Sequence, residues 1–207
     1  MGFSFIFIGS THGFIDDFSK QRELIKLIKP EFVLCEELED LKLDSKKRFN
    51  ELFRKKYISD MTSFDEVKKL IRLCFDKNIK LIGIDFHNLG FDDNLQKKIK
   101  NQEKLTKEEK GKLDKITKLR EKNHLSKILK YKKKTSRSII IIIGCWHLRK
   151  GSLLIKKLKN YKVILPCDKM GNPLFAPNKN KGIKYTEMVF NDFKNKNKYL
   201  KVGKDRG

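Results

Sequence analysis

Residues 138–151 read "SIIIIIGCWHLRKG", and this run constrains the fold more than any other part of the chain. Five consecutive isoleucines have no helical or two-residue alternation. Their β-branched side chains favour a strand, and a strand apolar on both faces must be covered on both faces. That geometry belongs to a parallel sheet with helices above and below. The run is also too short to cross a bilayer, which needs about 20 apolar residues. Other short apolar runs repeat the pattern at Phe3–Ile8, Phe32–Glu36, Lys80–Ile84 and Lys162–Leu165.

Between these runs lie amphipathic stretches. Residues 17–29 place Phe18, Leu24, Ile25 and Ile28 at helical spacing until Pro30 stops them, and 45–57 and 63–77 form two more. Ser63 and Glu66 stand at capping-box spacing before the last. Strands alternating with helices predict an α/β fold, with a mainly parallel sheet flanked by helices. Residues 97–134 carry 16 Lys/Arg against 5 Asp/Glu. Leu105, Leu113, Ile116, Leu119, Leu125, Ile128 and Leu129 supply its apolar stripe, so a long basic helix, or two, is expected to cover the core before the penultimate predicted strand. The expected organisation is one α/β domain over 1–194, with 91–134 as a lysine-rich helical insertion or cover and 195–207 as a loose basic tail.

The 207-residue chain has a formal net charge of +23, and only eight of its 49 cationic residues are Arg. Such a surface attracts polyanions at low salt without sequence preference. The bidentate cation suited to reading bases is scarce, however. The apolar residues lie in strand-like runs, where phenylalanines serve a core better than a stacking platform. The start of the chain has no secretory signal pattern, so a cytoplasmic location without membrane insertion is expected. Cys35, Cys74, Cys145 and Cys167 show neither C-x-x-C nor zinc-finger spacing and read as buried thiols.

The chemistry is expected at the strand ends. "FSFIFIGSTHG" (3–13) and the isoleucine run both pass from an apolar strand into Gly-x-x-His, at Gly9/His12 and Gly144/His147. Strand, Gly-x-x-His, helix and strand recur at 3–36 and 138–168. Ligands of open α/β sheets bind beyond the strands' carboxyl ends, where these histidines fall. The glycines would let the chain turn or a ligand approach. The histidines could then serve in proton transfer or metal binding. Glu36 ends the strand "EFVLCE" on the face of Phe32 and Leu34, where a carboxylate needs a partner. Asp85 and His87 end another strand in "LIGIDFHN". Arg120, Glu121 and His124 share a helical face; such a trio is commonly a solvated network, but facing the sheet edge it would make Arg120 an anion stabiliser.

The order "GSTH", "KPEFVLCEEL", "GIDFH", "LREKNHL", "GCWHLRKG" resembles the TraB/TIKI-like superfamily, which includes erythromycin-esterase-like and ChaN-like proteins. Its paired Gly-x-x-His motifs and strand-ending glutamate correspond to His12, His147 and Glu36. Its mid-chain Arg-Asp/Glu corresponds to Arg120 and Glu121. Glu37 and His124 stand where the family prefers Leu and Met.

The resemblance implies a hydrolase of peptide or ester bonds with His12, Glu36, His147 and Arg120 as its working residues. Gly9, Gly144, Asp85, His87, Glu121, His124 and Trp146 would line or support the pocket. His12, Glu36 and His147 would hold Mn²⁺, Co²⁺ or Zn²⁺ if a metal is used; otherwise a histidine would act as base with Glu36 orienting it. Cys145 is a remote candidate nucleophile. The partner would be a peptide or small-molecule substrate. A non-catalytic protein using the same pocket for a ligand, or the lysine-rich face for nucleic acid, is the alternative. "GSTHG" also resembles the opening of calcineurin-like metallophosphoesterases, but Ser10 stands where that chemistry needs Asp.

Overall fold

The computed structural model describes residues 3–10, 17–54, 65–86, 92–101, 103–167, 170, 184–189 and 200–201. The five expected runs form strands β1 (Phe5–Ser10), β2 (Phe32–Cys35), β4 (Lys80–Gly83), β5 (Ile139–Gly144) and β6 (Tyr161–Cys167). They lie parallel in the order β4-β2-β5-β1-β6. Three antiparallel strands extend this sheet. The two-residue β3 (Lys42–Leu43) pairs with β4, while β7 (Lys184–Val189) and β8 (Leu200–Lys201) continue beyond β6. These three had no distinct signal in the sequence reading. β8 falls within the stretch expected to be a loose tail.

Among the described residues the helices are α1 (Asp17–Ile28), α2 (Lys46–Arg54), α3 (Asp65–Asp76), α4 (Asp93–Lys100), α5 (Lys107–Lys132) and α6 (Leu153–Lys157). Alternating strand residues feed two cores. On one side, Phe7, Leu34, Ile141 and Val163 pack with Ile128 and Tyr131 of α5 and Leu154 of α6. On the other, Ile8, Val33, Ile140 and Ile164 pack with Leu24 and Ile25 of α1, Phe49 of α2 and Leu70 of α3. All five isoleucines of β5 are therefore buried, as a central strand between two helical layers requires.

α5 is the expected long basic helix. Thr106 caps it in a full capping box with Glu109, and Lys130 and Lys132 lie in its last turn, where they oppose the helix dipole. Its buried stripe is Thr117, Glu121, His124, Ile128 and Tyr131, which corrects the expected apolar stripe. Ile128 is buried and Leu125 partly buried against the core, but Leu119 and Leu129 face solvent. The first half of the stripe is polar because it crosses the carboxyl ends of the strands rather than the sheet's apolar face. Among the described residues, no helix is long and apolar enough to cross a membrane.

Candidate functional site

Strand register sets the site. Cys35 on β2 lies level with Gly83 on β4 and Ile142 on β5, so Glu36, Asp85 and Gly144 emerge together at one edge. Glu36 opens a 3-10 turn (Glu36–Leu38) and His147 sits in another (Cys145–Leu148). α5 crosses above them. Asn123 Nδ2 donates to the Ile84 carbonyl at 2.9 Å and Lys127 Nζ to the Asp85 carbonyl at 2.9 Å, fastening the helix to the end of β4. Both lie on the helix face that carries Arg120 and His124.

Arg120 joins the two buried carboxylates. Its Nε donates to Asp85 Oδ2 at 2.9 Å and its Nη2 donates to both Asp85 and Glu36. The other Glu36 oxygen accepts the Gly144 N–H at 2.6 Å. A Cβ on residue 144 would sit 3.4 Å from that oxygen. Gly144 has φ −53°, which any residue adopts. The 3.4 Å approach is ordinary van der Waals contact, so neither the space beside Glu36 nor a special turn requires a glycine there. Gly9, by contrast, is needed for packing: a Cβ there would meet Leu165 Cδ2 at 2.5 Å and Cys145 Sγ at 2.7 Å.

His147 is clamped between carboxylates. Its Nε2 lies 3.4 Å from Glu36 Oε1 and its Nδ1 3.4 Å from Glu121 Oε1. With an acceptor on each side, both ring nitrogens are best satisfied as donors, the imidazolium state. Burial by itself would lower the pKa of His147, but Glu121 and Glu36 outweigh it and raise it to about 9. Burial likewise disfavours an ionised Glu36, yet His147 and Arg120 hold its carboxyl far below the ordinary range. Asp85 is also held low, with Arg120 and His124 overriding burial.

Glu121 is the second hub. It accepts from Arg149 Nη1 and from the Leu153 backbone N–H, each at 2.7 Å, and its pKa falls to about 2 although burial opposes the fall. Thus it ties α5 to the start of α6 as well as orienting His147. Arg149 also donates to the Trp146 carbonyl at 2.7 Å and covers the Trp146 ring with its guanidinium 4.7 Å from the ring centre. Trp146 is half exposed at the rim.

His124 is fully buried, and neither ring nitrogen makes a hydrogen bond among the described residues. Its Nε2 lies 3.3 Å from Asp85 Oδ1, but out of line for a bond. The His147 ring meets it edge-on, with centroids 4.9 Å apart. An unsatisfied buried polar group costs about 1–3 kcal/mol, so this ring requires an explanation. Glu36, Asp85 and His124 each offer a donor atom, and the three atoms lie within 4.8 Å of one another. They form a buried cluster with the chemistry to hold a metal ion.

The structure therefore gathers Glu36, Asp85, Arg120, Glu121, His124 and His147. The trio on α5 faces the sheet edge and is not a solvated network. His12 and His87 lie outside the described residues, so the expected set His12, Glu36 and His147 is represented here only by its Glu36–His147 contact. Asn123, Lys127 and Arg149 were not singled out by the sequence. Cys145 is buried, and burial pushes its thiol far up, which leaves it without the thiolate a nucleophile needs. Comparison of the chain with protein-family models, curated proteins and solved structures yields no match, so the functional reading stands on this geometry.

Proposed function

We propose that the chain is a hydrolase of ester or peptide bonds, built on the TraB/TIKI-like plan, with His147 as the proton donor. The observation that carries the reading is the seat of His147: a buried imidazole with a carboxylate oxygen 3.4 Å from each ring nitrogen, at the carboxyl edge of a parallel sheet. Glu121 and Glu36 hold the ring and favour its charged form, suited to protonating a leaving group or a developing oxyanion. This gives His147 the acid half of the proton transfer expected of the paired histidines, because a histidine resting protonated is an acid before it is a base. His12 remains the base candidate on the strength of the motif. Arg120 supplies a fixed positive charge beside Glu36 and Asp85, where a substrate oxygen would gain from it.

The residues also fit a divalent ion, through two carboxylates and a histidine whose ring nitrogens make no hydrogen bond among the described residues. When bound, such an ion would polarise the carbonyl under attack.

The test is turnover of a panel of nitrophenyl esters and fluorogenic peptides by the full chain, with and without Mn²⁺, Co²⁺ or Zn²⁺. His147→Gln and Glu36→Gln would be assayed beside it, with folding checked by circular dichroism. Loss of positioned acid catalysis costs about 10²–10⁴-fold, so His147→Gln should lose at least about 100-fold of kcat. Absence of turnover across the panel, or turnover indifferent to His147→Gln, refutes the reading.

A further inference from the structure

We propose that Glu36, Asp85 and His124 form the binding site for one divalent transition-metal ion, and that the ion enters by displacing the Arg120 guanidinium. Two independent observations meet here. The first is the cluster itself, with donor atoms from the end of β2, the end of β4 and α5 within 4.8 Å of one another. The second is the ring of His124, which has no solvent exposure and, among the described residues, no hydrogen bond, although Asp85 lies 3.3 Å away. Native proteins seldom leave both nitrogens of a buried imidazole unmet. A lone pair on one nitrogen is what a metal takes, and it leaves the other N–H for a neighbouring acceptor.

Arg120 already balances part of the charge of the two carboxylates. Its guanidinium bridges Glu36 and Asp85, standing in as the cation between them. Ligand atoms about 2.0–2.2 Å from a common tetrahedral ion lie about 3.3–3.6 Å apart. A pair at the 4.8 Å limit must therefore close by about 1.2 Å, a side-chain rotation that departure of the guanidinium makes room for. The exchange also suits the local charge. Glu36, Asp85 and Glu121 already face Arg120, Arg149 and His147, so a doubly charged ion is favoured only if a resident cation leaves. Arg120 is the one bonded to both prospective carboxylate ligands. Once displaced, it would remain beside the ion with free donors for an anionic substrate group.

The ligand types select the ion. One imidazole with two carboxylates suits Zn²⁺, Co²⁺ or Mn²⁺, whereas Mg²⁺ prefers oxygen ligands and keeps its water. The site goes beyond the hydrolytic reading and is decided separately, because its readout is binding and not turnover.

The experiment is calorimetric titration of the metal-stripped full chain with each ion, supported by the visible spectrum of the Co²⁺ form. One-site binding is expected for the transition metals, with none for Mg²⁺ in the same range. Removing even a supporting group around a metal costs 10–100-fold, so Asp85→Asn and His124→Gln should each weaken binding by about 100-fold or more. Arg120→Gln should instead tighten it, a result that no merely structural role predicts. If His124→Gln fails to fold, Asp85→Asn and Arg120→Gln carry the same test. The proposal is overturned if the folded parent binds none of the three ions at millimolar concentration. It is also overturned if binding survives Asp85→Asn and His124→Gln but is abolished by His12→Ala/His147→Ala, or if Arg120→Gln weakens binding.

Discussion

Glu121→Gln should destabilise the protein by about 3 kcal/mol at neutral pH, and the loss should fade in acid. Glu121 is almost fully buried and receives Arg149, the Leu153 N–H and the approach of His147. Its pKa falls from an ordinary 4.5 to about 2 in the folded protein. A carboxyl depressed by folding contributes its stability above the unfolded pKa and loses it as pH falls through the folded one. The difference is worth about 3 kcal/mol, in line with the roughly 3–5 kcal/mol for breaking a buried charge pair. Gln keeps the shape but removes the charge, leaving Arg149 and His147 short of a partner.

For a domain of this size that loss is a fall in Tm of about 6–12 °C. Urea unfolding followed by circular dichroism and Trp146 fluorescence would measure it for parent and variant at pH 7 and pH 3. Less than half of the difference, roughly 1.4 kcal/mol, should remain at pH 3. A difference below about 1 kcal/mol at pH 7, or one equally large at pH 3, would refute the account of Glu121 as an ionised tie between α5 and α6.

Three further outcomes are expected. The His147 ring should titrate with a midpoint near 9 by NMR, and its charge should stabilise the fold below about 6.5 and cease to do so as pH rises through 9; a midpoint near 6.5 would contradict the clamp of Glu36 and Glu121. Gly83→Ala should cost about 2–3 kcal/mol or more, because a Cβ there collides with the backbone carbonyls of Glu39 and Leu38, which cannot swing aside like a side chain; an unchanged Tm would show that this turn yields. Binding to duplex DNA of any sequence should weaken by orders of magnitude between about 50 and 200 mM salt, as expected of the exposed lysines along α5; affinity that resists salt or discriminates sequence would favour the nucleic-acid reading over a surface effect.

The sheet was legible because its strands are buried on both faces. Ile139–Ile143 and Phe5–Ile8 allow no other periodicity, and observed bounds differ from the expected ones by a residue or two at most ends. Lys42–Leu43 was not legible, since two residues of strand have no pattern of their own. At the site, Glu36 declared itself as a carboxylate closing an apolar strand face, and Arg120, Glu121 and His124 by their shared helical face. That this face is buried could not be read locally. It depends on where α5 crosses the sheet, and the apolar residues around it suggested a different stripe. Lys127 was hidden by composition, because one functional-looking lysine cannot stand out among so many. Arg149 was hidden because its partner, Glu121, is distant in sequence and adjacent only after folding.

The strand order has a consequence for how the chain must be made. β1 precedes the other strands of this sheet in the chain, yet its neighbours among the described residues are β5 and β6, which begin at Ile139 and Tyr161. β2 likewise waits for β5 along one of its edges. Until Ile139 is available, two apolar strands have open edges of the kind that pair with other chains. The isoleucine run is thus an inserted keystone: β1 finds its first partner, β2 its second, and His147 its place between two carboxylates in a single late event.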